Sequence, residues 1–191
     1  MGVETNLASL ASKRLRLHPW RMIVERYAGE RPNKLKRAIV SVEPEERYQW
    51  MRGVAGLGHG DRSGTRIDDY AGHPRRLNGR VVEHIKGEPT RAPYLTWVGK
   101  ALRAPLEVWR GYRSDLHGHL EPRLYYLYAA ARPNIHSMAV IVGERDGVVF
   151  NIIPFEPKDA KKFRAGELVF VAYDDPFGHC PHGCCERQEL A

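Results

Sequence analysis

Three kinds of side chain that phosphodiester chemistry requires occur between residues 84 and 151 of this chain. His84 can take or give a proton near neutral pH. Arg91 and Arg123 suit a phosphate, because the planar guanidinium donates two hydrogen bonds to two oxygens. Tyr125 can stack on a base or donate a proton, and Asn151 interrupts an apolar run where a polar side chain either satisfies a buried partner or lines a site. Together these types would support metal-independent cleavage of RNA, which needs a base, an acid and cationic donors.

Each of these residues also has a purely structural interpretation. A single histidine is more often a surface or structural residue than a catalyst. Arg91 could be a surface charge at a helix start, and Arg123 a charge at the end of a strand. Tyr125 favours a strand whatever its function, and Asn151 could bond to a neighbouring loop. The residue types alone therefore leave an enzyme and a non-catalytic protein both open.

The N-terminal part of the chain is basic and predicts helices. Residues 1–80 hold 16 lysines and arginines against 9 acidic residues, whereas the remainder holds 14 of each. Residues 1–52 have apolar side chains at helical spacing, and the last short helix is predicted over 44–52. Residues 53–80 contain seven of the 18 glycines, which predicts a linker or loop. The basic region could attract a phosphate backbone, or it could be only a solvated surface.

The C-terminal part predicts an α+β domain over residues 81–175. A helix is expected from Thr90 to Leu102, because Leu95, Val98 and Leu102 recur on one face. An extended piece starts at Val108, and the Asp-Gly pair at 146–147 predicts a tight hairpin. Strands are then predicted over 124–130, 138–143, 148–155 and 168–173. We therefore predict N-terminal helices followed by a helix packed on a four-stranded antiparallel sheet.

The order of several short motifs resembles a known family. These motifs are His84-Ile85, Arg91, Tyr94-Leu95, Leu102, Pro105 to Trp109, Arg123 to Tyr126, Met138 to Phe155, and Gly166 before Glu167 to Phe170. In this order they resemble the phage-associated barnase–EndoU–colicin–RelE-like nuclease domains, a family of small RNA-cleaving folds. The resemblance covers roughly residues 81–175, about half of the chain. Asn151 departs from the pattern, since related folds commonly carry Ser or Thr there.

The resemblance implies a barnase/RelE-like fold and an endoribonuclease that acts by transesterification and requires no cofactor. His84 would be the general base or acid, and Arg91 and Arg123 would hold the scissile phosphate. Tyr125 and Asn151 would position the substrate. Further substrate contacts are expected at Lys86, Trp109 and Tyr126.

The expected partner is RNA, with tRNA among the candidates, together with a neutralising immunity or antitoxin protein if the chain is a toxin. The alternative on the same fold is a non-catalytic nucleic-acid-binding or virion-associated protein. No stretch approaches the ~20 apolar residues of a membrane span, and the N-terminus lacks a secretory pattern. A cytoplasmic protein without a membrane contact is expected, and the resemblance implies a phage or prophage origin, with delivery in the virion left open.

The tail over residues 176–191 contains a second candidate site. Its segment from His179 to Cys185 holds all three cysteines and two histidines. Such clustering argues against a disulfide framework, whereas soft thiolates and imidazoles suit zinc. The ligands would be Cys180, His182, Cys184 and Cys185. A single compact cluster is only half of a standard zinc site, so a zinc-dependent interaction module and a tail with reactive thiols both remain open.

Overall fold

The computed structural model describes residues 40–58, 63–114, 118–131 and 136–172. The helices predicted within residues 1–39 lie outside these ranges. So do the proposed zinc ligands Cys180, His182, Cys184 and Cys185.

The helical segments of the described part are short. They are α1 (Pro44–Val54), α2 (Gly79–Ile85), the 3₁₀ helix η1 (Pro89–Trp97), α3 (Val98–Arg103) and the 3₁₀ helix η2 (Pro157–Lys162). The helix predicted over 44–52 is confirmed as α1. The single helix predicted from Thr90 to Leu102 is instead divided into η1 and α3, and Pro93 within η1 lacks the amide proton that an α-helix would use. None of the described helices is long and apolar enough to cross a membrane.

Residues 53–80, predicted as a linker or loop, contain an antiparallel hairpin of strands β1 (Thr65–Asp68) and β2 (Pro74–Leu77). Ile67 and Leu77 are buried in the same core as α1 and α2. Two of the glycines in this segment, Gly56 and Gly64, lie where a side chain would collide with the hairpin. Gly64 has a φ of +71°, and a Cβ at this position would lie 2.0 Å from the carbonyl oxygen of Leu77. The composition of this segment therefore reflects tight turns on a packed hairpin.

The main sheet is antiparallel and has five strands. They are β3 (Glu107–Ser114), β4 (Leu120–Ala131), β5 (His136–Gly143), β6 (Val149–Phe155) and β7 (Glu167–Val171), in the order β6-β5-β4-β3-β7. The α+β prediction is confirmed, with one strand more than expected. The additional strand is β3, which grows from the extended piece at Val108 and pairs with both β4 and β7. Its outer half is polar and contains Gly111, so it lacks the apolar run that marked the other strands.

The two faces of this sheet have separate cores. On one face Tyr126, Val140 and Ile152 pack with the buried residues of the helices and of the β1–β2 hairpin. On the other face Trp109 and Tyr125 pack with the phenylalanines that border η2. Adjacent strand residues point to opposite faces. Tyr125 and Tyr126 therefore belong to different cores, although they are neighbours in sequence.

A buried carboxylate, Asp69, fastens the β1–β2 hairpin to the central strand. Its Oδ2 accepts hydrogen bonds from the Tyr126 hydroxyl at 2.7 Å and from Arg75 Nε at 2.8 Å. Its Oδ1 accepts the backbone amides of Ala71 and His73, both at 2.9 Å. Burial alone would raise the pKa of Asp69, but these hydrogen bonds outweigh it and hold the pKa below its ordinary value of 3.8.

A second buried carboxylate, Glu107, ties β3 to the segment that follows η2. Glu107 is fully buried and accepts hydrogen bonds from the Trp109 indole at 2.7 Å and from Arg164 Nε at 2.8 Å. A second nitrogen of Arg164 bonds the other carboxylate oxygen. Both buried acids are thus paired with arginine, which is how a folded protein tolerates a charge in its interior.

Candidate functional site

The edge strand β6 contains a β-bulge at Phe150. Ile141 pairs with Asn151 and Val142 pairs with Val149, so Phe150 has no partner of its own on β5. A bulge re-aims the side chains of its strand, and bulges are frequent next to active sites. Three polar side chains contact Phe150 or its neighbour Asn151. We call the group the bulge cluster, and its members are His84, Arg91, Arg123, Phe150 and Asn151.

The Phe150 ring contacts two of these side chains. The His84 ring lies against it with the centroids 5.0 Å apart. The guanidinium carbon of Arg123 lies 4.2 Å from the same centroid, in cation–π geometry. Arg123 sits on β4, two strands or roughly 10 Å from β6. Its register partner on the intervening β5 is Gly143, which has no side chain to obstruct that path.

Asn151 holds the second arginine of the cluster, Arg91. Its Oδ1 accepts a hydrogen bond from Arg91 Nη1 at 3.1 Å and from the Ile152 amide at 2.8 Å. Arg91 Nε also pairs with Glu88 at 2.7 Å, and the Arg91 side chain is only 18% exposed. The polar residue within the apolar β6 run therefore has a charged partner from η1, and the guanidinium of Arg91 is fixed between an amide and a carboxylate.

Local structure explains why α2 presents His84 outwards. Asn78 caps this helix, with its side-chain oxygen accepting the Arg80 amide at 3.0 Å. Val81, Val82 and Ile85 face the core. His84 lies on the exposed side of the helix, where its ring reaches the start of β6.

Two of the expected substrate contacts are buried elsewhere. Tyr126 is completely buried, with its hydroxyl bonded to Asp69. Trp109 lies in the second core with its indole nitrogen bonded to Glu107. Contrary to the expectation, neither side chain is accessible to a substrate, because large aromatic residues on a sheet with two covered faces fill the cores.

Two other expected site residues lie in separate groups. Tyr125 is buried in the second core, and its hydroxyl is 3.3 Å from Arg113 Nε. Lys86 is exposed and pairs with Glu83 at 2.7 Å, and Glu83 also accepts a hydrogen bond from Tyr48. The bulge cluster thus unites His84 with the two arginines and the asparagine. The contacts of Tyr125 and Lys86 described above are with residues outside this cluster.

Sequence reasoning missed Phe150 and Glu88. Phe150 lies in an apolar run where a phenylalanine ordinarily indicates core, and its bulge depends on pairing with β5. Glu88 directly precedes η1, and its spacing of three residues from Arg91 is the one local signal of an ion pair. Within the described residues, no group of three or more His, Cys, Asp and Glu side chains is arranged to hold a metal ion.

Comparison with known proteins identifies the family of this domain. The family described as phage-Barnase-EndoU-ColicinE5/D-RelE like nuclease2 matches residues 49–171. Neither the comparison with curated proteins nor that with solved structures found a match. The family match begins within α1 and ends with β7, so it includes the β1–β2 hairpin that precedes the motifs recognised in the sequence. Because it spans more than half of the chain, the chain belongs to this family of phage nuclease-like domains.

Proposed function

We propose that this domain is a metal-independent endoribonuclease whose chemistry takes place at the bulge cluster. One observation carries the proposal. The bulge at Phe150 gathers a histidine from α2, an arginine from η1 and an arginine from β4 on the edge of the sheet. The fold itself does not require these three polar side chains to meet, whereas cleavage of a phosphodiester requires proton transfer beside cationic donors.

In the proposed reaction the 2′-oxygen of a ribose attacks the adjacent phosphorus. The bond between phosphorus and the 5′-oxygen breaks, which leaves a 2′,3′-cyclic phosphate and a free 5′-hydroxyl. One proton must leave the 2′-hydroxyl, and one must reach the 5′-oxygen. His84 is proposed for one transfer. Glu88, whose exposed carboxylate is bound to Arg91, is proposed for the other.

Arg91 and Arg123 are proposed to hold the scissile phosphate. Arg123 rests on an aromatic ring and lies 3.4 Å from the half-exposed carboxylate of Glu121, which is a loose ion pair. A phosphate could replace this contact at small cost. Arg91 is proposed to be aimed by Asn151, since a guanidinium that is already fixed loses less conformational entropy when a phosphate binds.

The test is cleavage of total RNA and tRNA in excess EDTA by the wild type, by His84→Ala and by His119→Ala. His119 is an exposed histidine at the connection between β3 and β4, so it serves as the matched control. We expect cyclic-phosphate ends from the wild type and from His119→Ala. Cleavage by His84→Ala should be slower by a factor of about 100 or more.

Equal cleavage by the wild type and His84→Ala would contradict the assignment of His84 and place the chemistry elsewhere. The absence of cleavage by the folded wild type would overturn the proposed activity, and a nucleic-acid-binding protein would then be the better account. A second variant, Glu88→Gln, tests the other proton transfer in the same assay. It should also slow cleavage, because an amide cannot exchange the proton.

A further inference from the structure

The exposed face of the β1–β2 hairpin carries two arginines directly opposite each other. Arg66 pairs in register with Arg76, and both side chains are exposed. Like charges at directly opposed positions destabilise a strand pair. Arg66 has a partial partner in Asp68 at 3.2 Å, but within the described ranges Arg76 has no carboxylate partner. An added anion would relieve the repulsion between the two guanidinium groups.

This pair is fixed beside the turn that leads into β6. The Arg76 amide donates to the carbonyl oxygen of Gly147 at 2.9 Å, and Arg76 forms a parallel bridge with Val148. The same turn contains Arg145, which is exposed and also has no carboxylate partner among the described residues. Phe150 follows Val148 by two residues, or roughly 7 Å of strand. The hairpin arginines therefore lie next to the bulge cluster.

The first turn of α2 completes the connection. Arg80 and His84 are four residues apart, so they lie on one face of the helix with their Cβ atoms roughly 6 Å apart. Arg80 contacts Asp146 of the β5–β6 turn at 3.5 Å, and its side chain is 62% exposed. One helical face thus presents a cation beside the turn and the histidine beside the bulge.

We propose that these arginines form a track that binds the sugar-phosphate backbone of RNA and leads it to the bulge cluster. We call it the arginine strip, and its members are Arg66, Arg76, Arg80 and Arg145. Four guanidinium groups here face two carboxylates, Asp68 and Asp146, which leaves an excess of positive charge on an exposed surface. Guanidinium groups match phosphate oxygens in geometry as well as charge. The choice of RNA as the polyanion rests on the proposed nuclease function.

The strip is tested by binding without cleavage. A fluorescent 2′-O-methyl RNA oligonucleotide cannot be cut by attack of its 2′-oxygen, so its affinity reports binding alone. We would measure its dissociation constant across a range of salt concentrations for the wild type, Arg76→Gln and the double variant Arg66→Gln/Arg76→Gln. Lys161→Gln is the charge control, because Lys161 is an exposed cation on η2, which packs on the opposite face of the sheet.

We expect binding at low salt to weaken about threefold to fivefold for each arginine removed. The slope of log affinity against log salt should fall by about 0.7 for each lost phosphate contact. Lys161→Gln should change neither quantity. The proposed strip would be overturned if the double variant kept the affinity and the salt slope of the wild type. It would also be overturned if Lys161→Gln lost as much affinity as the arginine variants.

Thermal unfolding separates lost binding from lost folding. Removal of one of two opposed like charges should leave the melting temperature of Arg76→Gln unchanged or higher. The strip and the nuclease can also fail separately. If the wild type binds RNA through the strip arginines but cuts no RNA, the strip is supported and the nuclease proposal is wrong. If the wild type cuts RNA but the strip variants bind as tightly as the wild type, the nuclease proposal stands and the strip is wrong.

Discussion

Tyr126 donates a buried hydrogen bond of 2.7 Å to Asp69, and through it the central strand of the sheet holds the hairpin that carries Arg66 and Arg76. Both partners are in the core, so water cannot replace either one. Burial first, and the bond to Asp69 second, raise the pKa of the Tyr126 hydroxyl far above its ordinary value of 10.0. This hydroxyl therefore remains a donor at neutral pH.

Asp69→Asn should lower the free energy of unfolding at pH 7 by about 3–5 kcal/mol, because it leaves Arg75 buried without its counter-charge. The pKa of Asp69 is lower in the folded than in the unfolded protein. The wild type should therefore keep this contribution above pH ~4 and lose it as the pH falls through the folded pKa. Chemical denaturation between pH 7 and pH 2 measures both effects, and the variant should lose less stability on acidification.

Tyr126→Phe is the milder companion of that change. It removes one donor and keeps the pair of Asp69 with Arg75, so we expect a loss of about 1–2 kcal/mol. Tyr112→Phe is the control, because Tyr112 is 62% exposed and its change should stay within about 0.5 kcal/mol. Equal effects of the two substitutions would show that the buried hydrogen bond does not fasten the hairpin.

Phe150→Leu should separate catalysis from stability. Leucine retains most of the apolar volume of this half-buried residue, so the loss of stability should stay below about 1.5 kcal/mol. His84 and Arg123 would lose the ring that positions them, and the turnover number should fall about 10-fold to 100-fold. Phe150→Tyr keeps a ring and should keep the rate. Steady-state kinetics and thermal unfolding of both variants provide the check, and identical rates for the two would refute the positioning role.

Asn151→Asp should act in opposite directions on stability and on activity. The new carboxylate would strengthen the contact with Arg91, which is already paired with Glu88. We expect an unchanged or higher melting temperature. RNA cleavage should fall about tenfold or more, because a second acid beside Arg91 cancels the charge offered to phosphate. Asn151→Gln keeps the site neutral and retains an amide oxygen for Arg91, so it is the control. A rate for Asn151→Asp equal to wild type would argue that Arg91 does not hold the phosphate.

Gly166→Ala should destabilise the junction between η2 and β7. Gly166 has a φ of +122°, and a Cβ there would lie 2.1 Å from the carbonyl oxygen of Arg110. We expect a loss of about 2 kcal/mol or more. Gly53→Ala is the contrasting change, since nothing lies within 4 Å of a Cβ at that position inside α1. It should raise the free energy of unfolding by about 0.5–1 kcal/mol.

Elements specified by local sequence were the ones that could be predicted. The bounds of α1 follow from a proline start and acidic residues in its first turn. The Asp-Gly pair at 146–147 predicts the turn between β5 and β6, because Gly147 can adopt the positive φ that this turn requires. By contrast, β3 depends on pairing with β4 and β7, which are distant in sequence. The β1–β2 hairpin has short strands with one buried apolar residue each, too few to reveal a period of two.

The candidate site was partly visible for the same reason. His84, Arg91, Arg123 and Asn151 could be selected by chemical type, and the structure brings them together. Phe150 could not be selected, because a bulge is defined by how two strands pair. The sequence of β6 alone contains no signal for it. The substrate contact predicted at Tyr126 is wrong, because this side chain is buried in the core. The sequence pattern of an aromatic residue on a strand is the same whether the residue lines a binding surface or fills a core.

Because of the bulge at Phe150, deletion of one residue would affect the sheet pairing and the bulge cluster differently. If this single residue were deleted, Val149 and Asn151 would become consecutive and still face Val142 and Ile141. The ladder would close without a slip, and each remaining side chain would keep its face of the sheet. Deletion of Phe150 should therefore remove the ring that His84 and Arg123 share while the pairing of β5 with β6 stays intact, so one missing residue would dissolve the bulge cluster without unfolding the sheet.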